Sequence, residues 1–285
     1  MRAILSLGAI CATLFGAVLT ADAQQDFLMM PTDGNYKVGL RFIHPDFEMP
    51  EPTSWDPVVR EFDTFSGVYD LFCVIPCSRR WSLVLDAPYL RFCLDGRDNV
   101  ETAFGNVYLG ARYDRIEERS RRTFQLGLTA PTSQKNDRNI LALATIVNYH
   151  ESYKYVPGGV CFYGATSYHL HTPSHLLLGY DIGTMIMKST AYDYSDVDFF
   201  WRYGADIGYA FSQCDIRAGF MGVFLMTADV ASLDSDFWTD VIIKGTWNRG
   251  VIRPSVFYRI PLQHDVQDLL NATLGIQLDL AFGGA

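Results

Sequence analysis

The residues His150, Glu151 and Ser152 come nearest in this sequence to a catalytic arrangement. Residues two positions apart in a strand lie on one face, so the His150 imidazole could take the Ser152 hydroxyl proton, as in nucleophilic acyl transfer. No Asn, Asp or Glu follows at a spacing that would orient the imidazole, and the pair shares the face of Asn148, which we expect to point inward. We therefore predict no catalytic residues and no enzyme, with acyl hydrolysis through His150 and Ser152 as an alternative.

A histidine cluster is formed by His169, His171 and His175. Imidazoles two apart on a strand can converge on a metal ion, but no carboxylate or thiol completes a ligand set here. We interpret these histidines as interfacial polar residues at a turn. The sequence also has no phosphate-binding glycine loop and no carboxylate pair with acid–base spacing. We therefore predict no metal and no cofactor.

The cysteines match no trusted metal-ligand spacing. Five remain once the first 23 residues are removed, namely Cys73, Cys77, Cys93, Cys161 and Cys214. An odd number leaves at least one unpaired within a monomer in an oxidising compartment. We expect small packing residues and leave the disulfide pairing open, with Cys77 to Cys93 as one candidate.

The first residues have the three regions of a secretory signal peptide. Met1 and Arg2 precede an apolar run over residues 4–19, which is followed by Ala21, Asp22 and Ala23. The run is too short for a membrane anchor and ends in a cleavage-type Ala-x-Ala. We predict a signal peptide over 1–23, export through the periplasm, and one mature domain over 24–285.

The composition suits a β-barrel in a membrane. Hydrophobic residues make up 49% of the chain, with 19 Phe, 16 Tyr and 5 Trp, as expected where aromatic girdles and an apolar band meet lipid. A secreted soluble sandwich would share the strand pattern but not the lipid-like face. The formal net charge of −9 argues against a nucleic-acid binder.

The last stretch, residues 269–282, gives the strongest strand signal. Apolar residues occupy its even positions and polar or small residues most of the odd positions between them. A period of two predicts a strand with opposed faces. The stretch is longer than a usual strand and about as long as a tilted strand that crosses a bilayer, so we predict a closing barrel strand.

Similar stretches recur along the chain and predict an all-β, transmembrane, antiparallel up-and-down barrel. They cover residues 35–44, 64–75, 81–92, 103–114, 123–132, 160–170, 175–188, 199–211, 214–226, 237–247, 251–262 and 269–282. Counting 140–150 as a strand gives an odd number, whereas single-chain bacterial barrels are even. Either 140–158 is an excursion, giving about twelve strands, or it hides a hairpin, giving fourteen. We favour twelve.

The connections between these stretches also carry predictions. Short turns alternate with longer links near 45–62, 93–102, 133–139, 189–197, 227–235 and 263–268, and we expect the two sets on opposite sides of the membrane. The segment 45–62 contains four prolines and predicts a loop. Pro254 predicts a local bulge or a frayed pairing, because proline cannot donate to the ladder.

The alternation assigns many charged residues to the lumen. The predicted pore-lining positions are Lys37, Arg41, Asp70, Asp86, Arg112, Arg202, Asp206, Asp215, Arg217, Asp240, Lys244, Arg253, Arg259 and Asp279. Mixed signs can line a selective polar pore, or they can pair and fill the interior. Barrel diameter grows with strand number, and this size lies between filled and open barrels, so both alternatives stay open.

Two consecutive stretches carry a resemblance to a known family. Residues 105–113 (GNVYLGARY) and 124–132 (FQLGLTAPT) resemble the "G-D-L-x-L-G-x-K-Y … L-G-x-x-x-P-T-G" signature of outer-membrane transporter barrels associated with the meta-pathway of phenol degradation. Asn106 replaces the acidic residue and Ser133 the final glycine. The resemblance implies a barrel of about twelve strands that moves small, often hydrophobic or aromatic, molecules across the outer membrane.

These observations predict a passive channel in the cell outer membrane, whose partners are membrane lipid and small solutes. The alternatives are a structural barrel with a filled lumen and an acyl hydrolase. The His-x-Ser pair of the latter is superficially similar to that of outer-membrane phospholipases and lipid A deacylases, but Tyr153 follows where those enzymes have Asn. The oligomeric state and the solute are left open.

Overall fold

The computed structural model describes most of the chain. The described residues are 36–47, 63–93, 100–189, 197–227, 237–267 and 269–282. The predicted signal peptide over 1–23 lies outside them. So do most of the long links predicted over 45–62, 93–102, 189–197 and 227–235.

The described residues form one antiparallel sheet of thirteen strands. The strands are β1 (Tyr36–Phe47), β2 (Gly67–Pro76), β3 (Trp81–Cys93), β4 (Val100–Phe104), β5 (Val107–Ile116), β6 (Ser120–Ala130), β7 (Gly159–His171), β8 (Leu176–Ser189), β9 (Val197–Ala210), β10 (Cys214–Leu225), β11 (Phe237–Trp247), β12 (Ile252–Pro261) and β13 (Leu270–Phe282).

The sheet closes on itself, because β1 pairs with β13 on one side and with β2 on the other. Strands β4 and β5 share one position in the wall: β3 pairs with β5 up to Asp86 and with β4 from Tyr89 onward. The barrel therefore has twelve positions and one extra strand. The predicted up-and-down barrel of about twelve strands is confirmed, and the alternative of fourteen is wrong.

The alternation of side chains follows the predicted pattern except at the start of β13, where Leu270 and Ala272 are buried beside a register shift in the pairing with β1. In β13, Ile276, Leu278 and Phe282 are exposed, whereas Gln277 and Asp279 between them are buried. Apolar side chains thus point away from the barrel and polar ones into it. This is the reverse of a soluble protein and is the arrangement that a barrel in lipid requires.

Residues 131–158, which we call the plug, enter the lumen. Most of residues 131–139 are exposed, whereas most side chains from Ile140 to Tyr155 are buried or half-buried. The plug leaves the wall after β6 and returns to it at β7, and it contains a 3₁₀ helix (Lys135–Asp137), helix α1 (Arg138–Val147) and a second 3₁₀ helix (Tyr149–Lys154). The predicted excursion over 140–158 is confirmed. A short helix α2 (His264–Gln267) joins β12 to β13. No helix among the described residues is long and apolar enough to cross a membrane.

Three local predictions need correction. The strand predicted over 103–114 is broken at Gly105 and Asn106, where a Cβ atom on Gly105 would lie 2.5 Å from the Lys154 carbonyl oxygen of the plug. Strand β1 extends to Phe47 and includes Pro45, which was assigned to the loop.

At Pro254 the bulge is wrong and the frayed pairing is confirmed. Strand β12 runs in register with β13 through Pro254, whereas its pairing with β11 ends at Ser255. A proline is tolerated there because the missing N–H faces the side where the ladder has stopped.

Candidate functional site: the plugged lumen

Helix α1 is held by packing. Its buried residues Ile140, Leu141, Ala144 and Val147 recur at helical spacing and form one apolar face. This face packs against inward apolar side chains of β1 to β4, among them Ile43 of β1. Burying each Ile or Leu side chain contributes about 1.5–3 kcal/mol. No side chain caps the N-terminus of α1, so packing supplies most of its stability.

Five charged side chains form a cluster between the plug and the wall. Arg41 Nε donates to Asp70 Oδ2 at 2.9 Å, and the same guanidinium is paired with Glu151 of the plug. Lys154 Nζ lies 3.1 Å from Glu151 Oε2 and also pairs with Asp86. Two plug charges are therefore joined to β1, β2 and β3.

The electrostatics of this cluster keep the plug charges ionised. Burial raises the pKa of the Glu151 carboxyl, but Arg41 and Lys154 outweigh it and hold that pKa well below its ordinary value. Burial lowers the pKa of the Lys154 ammonium, but Asp70 and Asp86 outweigh it and raise that pKa above its ordinary value. Removing one partner would leave a buried charge uncompensated.

The C-terminal end of α1 is bound by Arg259 of β12. Its Nη2 donates to the Val147 carbonyl oxygen at 3.1 Å and its Nη1 to Asn148 Oδ1 at 3.0 Å. Its Nε donates to Thr273 Oγ1 of β13 at 2.9 Å. The guanidinium satisfies a carbonyl that the helix itself leaves open, and its charge complements the helix dipole.

A buried His–Asp pair joins the second 3₁₀ helix to β11. His150 Nε2 lies 2.7 Å from Asp240 Oδ2, and the Tyr149 hydroxyl donates to the other carboxylate oxygen. Burial lowers the pKa of His150 below its ordinary value, and Asp240 offsets this only in part. A neutral ring bound to a carboxylate carries its proton on Nε2.

The predicted His150 and Ser152 arrangement is wrong in its geometry. The segment is a 3₁₀ helix, so the two side chains do not share a strand face. In the described structure Ser152 Oγ and His150 Nδ1 make no hydrogen bond, to each other or to another group. Both residues are buried inside the barrel, away from the face where a lipid ester would approach. The histidine instead anchors the plug.

The two ends of the plug are tied together at Asn106, in the break between β4 and β5. Asn106 Nδ2 donates to the Val156 carbonyl oxygen at 2.7 Å, and its backbone N–H donates to the Lys154 carbonyl oxygen at 2.6 Å. Asn106 Oδ1 accepts from Ser133 Oγ at 2.8 Å and from the Ser133 N–H at 3.2 Å. Asn106 and Ser133 are the positions where the chain replaces the acidic residue and the final glycine of the signature quoted above.

At the end of the barrel that carries the short turns, side chains of the wall itself fill the lumen. Asp114 accepts from Arg121 Nη2 at 2.7 Å and from Arg112 Nε at 3.1 Å. Arg217 Nη1 donates to Asp206 Oδ1 at 2.8 Å. Opposite charges therefore meet within one strand and across neighbouring strands.

All fourteen predicted lumen residues are placed in the interior. Thirteen are buried, and the Arg41 side chain is 15% exposed. Eight are cationic and six anionic, so the chain's net charge of −9 does not reside in the lumen wall. The structure brings Arg41, Asp70, Asp86, Asp240 and Arg259 together around the plug. That these residues line a conducting pore stays a prediction.

The plug side chains were missed by the strand pattern. Glu151, Lys154, Tyr149 and Asn148 supply most polar contacts between plug and wall. Two signals pointed to them: the odd strand count, and the helical spacing of apolar residues at 140, 141, 144 and 147. Their partners, such as Arg41 for Glu151, lie too far away in sequence for any local pattern to pair them.

The remaining candidate groups stand as follows. His169 is buried near Asp206 and Arg217, so its placement at an interfacial turn is wrong, whereas His171 and His175 lie at the turn between β7 and β8. Within the described residues, no three His, Cys, Asp or Glu side chains are arranged to hold a metal ion.

The candidate disulfide between Cys77 and Cys93 is wrong. Cys77 precedes β3 and Cys93 ends it, so the two residues lie at opposite ends of the barrel wall and are not bonded. A strand of that length spans roughly 40 Å, whereas a disulfide needs Cα atoms within about 7 Å.

Comparison with known proteins agrees with the fold. No protein-family model and no curated protein sequence matches the chain. Among solved structures, it is similar to the COG4313 outer membrane channel from Pseudomonas putida F1, with a TM-score of 0.58 and 12% identity over 92% of this chain and 100% of that one. It is also similar to the NanC porin, with a TM-score of 0.53 and 8% identity over 86% of this chain and 100% of that one.

At these identities the likeness establishes an outer-membrane type of barrel. The phenol-degradation family named above stays a prediction.

Proposed function

We propose that this chain is an outer-membrane channel for small solutes whose lumen is closed by the plug. The observation that carries the proposal is the way residues 131–158 are held. The wall closes through its own hydrogen-bonded strands, whereas the plug between its two chain connections is joined to the wall mainly by side-chain contacts. Such contacts can break while the barrel stays intact, which gives a closed and an open state.

The proposed location is the outer membrane, reached after export and cleavage of residues 1–23. The apolar outer band of the barrel supports it. The proposed solutes are small molecules, including hydrophobic or aromatic ones, as the sequence resemblance implies. Among the two solved structures described above, one is named an outer membrane channel and the other a porin.

A second candidate is a structural barrel with a permanently filled lumen. The density of buried ion pairs around Glu151 and Lys154 favours it. The two candidates differ in whether the plug leaves the lumen under native conditions.

The experiment that separates them is single-channel recording of the refolded mature protein in a planar bilayer. A matched variant replaces residues 133–157 by a short glycine-rich turn between the adjacent strands β6 and β7. We expect brief openings from the native protein and larger, steady openings from the variant. A channel is refuted if the variant, shown by heat-modifiable migration to be folded, passes no current. A structural barrel is favoured if the variant conducts and the native protein never does.

The hydrolase alternative makes a different prediction. If Ser152 were a nucleophile, Ser152→Ala would abolish turnover of phospholipid or lipid A by the native protein. We expect no turnover above background from either form, because Ser152 is buried in the lumen and makes no hydrogen bond to His150. Serine-dependent lipid hydrolysis would replace the channel proposal.

A further inference from the structure

Arg202 differs from the other lumen arginines with described hydrogen bonds. It lies in the middle of β9, is 1% exposed, and none of its three guanidinium nitrogens has a hydrogen-bond partner among the described residues. By contrast, Arg41, Arg112, Arg217 and Arg259 each donate to a carboxylate, hydroxyl or carbonyl group. A desolvated guanidinium without acceptors is unfavourable, so a group that supplies them gains affinity.

The surroundings of Arg202 are aromatic. Its guanidinium carbon lies 5.2 Å from the centre of the Tyr163 ring, a cation–π contact that leaves the N–H groups unused. The Tyr163 hydroxyl is buried and also lacks a partner. Tyr153 of the plug stacks on Tyr163 with ring centres 5.6 Å apart, and Tyr108 packs edge-on against both.

The nearby plug carboxylate does not complete the site. Glu151 and Asp181 of β8 are electrostatic neighbours of Arg202, but neither accepts a hydrogen bond from its guanidinium. The Glu151 carboxylate already accepts from Arg41, Lys154 and Asn148. Because Tyr153 belongs to the plug, release of the plug removes one side of the aromatic packing around Arg202.

We propose that Arg202 is a binding site for the carboxylate group of a small organic acid, which it engages when the plug is released. A carboxylate matches the guanidinium fork with two parallel hydrogen bonds, and the Tyr163 hydroxyl supplies a further donor. The tyrosine faces suit the organic part of the solute. One guanidinium balances one negative charge, which favours a carboxylate over a phosphate dianion. This inference rests on the proposed channel and names a solute class for it.

The test measures ligand binding to the folded protein in detergent by saturation-transfer NMR, with benzoate as the probe. Benzamide is the uncharged control, and ionic strength is held constant with sodium chloride. We expect a saturable benzoate signal that acetate competes away, and little signal from benzamide. Arg202→Gln should weaken benzoate binding about tenfold or more, and Arg202→Lys by less. Arg112→Gln, which changes a lumen arginine engaged with Asp114, should keep the signal.

Several outcomes would overturn the proposal: equal benzoate binding by the native protein and the folded Arg202→Gln variant, equal binding of benzamide and benzoate, or stronger competition by phosphate than by acetate. If Arg202→Gln does not fold, Arg202→Lys and Tyr163→Phe decide the question, and unchanged affinity in both refutes it. The NMR binding assay does not depend on conductance. Absence of conductance in the bilayer experiment would therefore refute the channel and leave the proposed binding site intact.

Discussion

Replacing Asn106 by alanine should release the plug without opening the wall. The substitution removes three hydrogen bonds of ordinary length, one to the Val156 carbonyl at 2.7 Å and two from Ser133 at 2.8 and 3.2 Å. It also removes a longer one to the Tyr153 carbonyl at 3.4 Å. The bond from the Asn106 backbone to Lys154 remains. At about 1 kcal/mol net for each of the three bonds of ordinary length, the docked plug loses about 3 kcal/mol. The ratio of released to docked plug then rises about a hundredfold.

Hydrogen exchange detected by mass spectrometry measures the ratio of released to docked plug. In Asn106→Ala, the amides of α1 should exchange about a hundredfold faster, while those of distant strands keep their native rates. Ser133→Ala should act in the same direction. The double variant should fall short of the sum of the two effects, because the residues share hydrogen bonds. Asn248→Ala, which alters a buried asparagine at the short-turn end, is the matched control.

The reasoning fails if the α1 amides of folded Asn106→Ala exchange no faster than those of the native protein or of Asn248→Ala. It also fails if the whole barrel exchanges faster to the same extent, because the plug would then not be a separate unit of stability.

The other predictions concern pH, lumen packing and the lipid face. Burial lowers the pKa of His150 in the docked plug, so docking is most stable above the ordinary histidine pKa of about 6.5 and weakens as the pH falls below it. Once exchange rates are divided by the intrinsic amide exchange rate at each pH, opening of the plug should increase by up to about tenfold for each pH unit of acidification. A His150→Gln variant with an unchanged profile would contradict this. Gly127→Ala should destabilise the barrel by about 1–3 kcal/mol in urea unfolding, because the added Cβ would lie 2.4 Å from the buried Tyr108 hydroxyl. Gly245→Ala is the control and should be neutral, because its added Cβ meets nothing within 4 Å. On the lipid face, Leu126→Arg in mid-strand should lower the free energy of unfolding by about 2–4 kcal/mol, as measured by refolding titration. Ile116→Arg at a strand end should lower it by only about 0–1 kcal/mol. Equal losses for the two variants would place the lipid boundary elsewhere.

The sequence by itself determined the wall of the molecule. Alternation with a period of two is a local property, and it depends only on one face of each strand meeting lipid and the other the lumen. Strand positions such as 237–247 and the inward direction of the fourteen charged residues therefore follow from the pattern. The break at Gly105 and Asn106 does not follow from the pattern, because these residues contact the plug, which is distant from them in sequence.

Only the tertiary structure decided what fills the barrel. Glu151 meets Arg41 across 110 positions of sequence, and Asn148 meets Arg259 across 111. Pairings over such distances are set by which strands close the barrel and how far the plug enters it, and no local periodicity encodes either. His150 shows the consequence: adjacent residues suggested a serine partner, whereas the folded chain gave it Asp240 and a role in holding the plug.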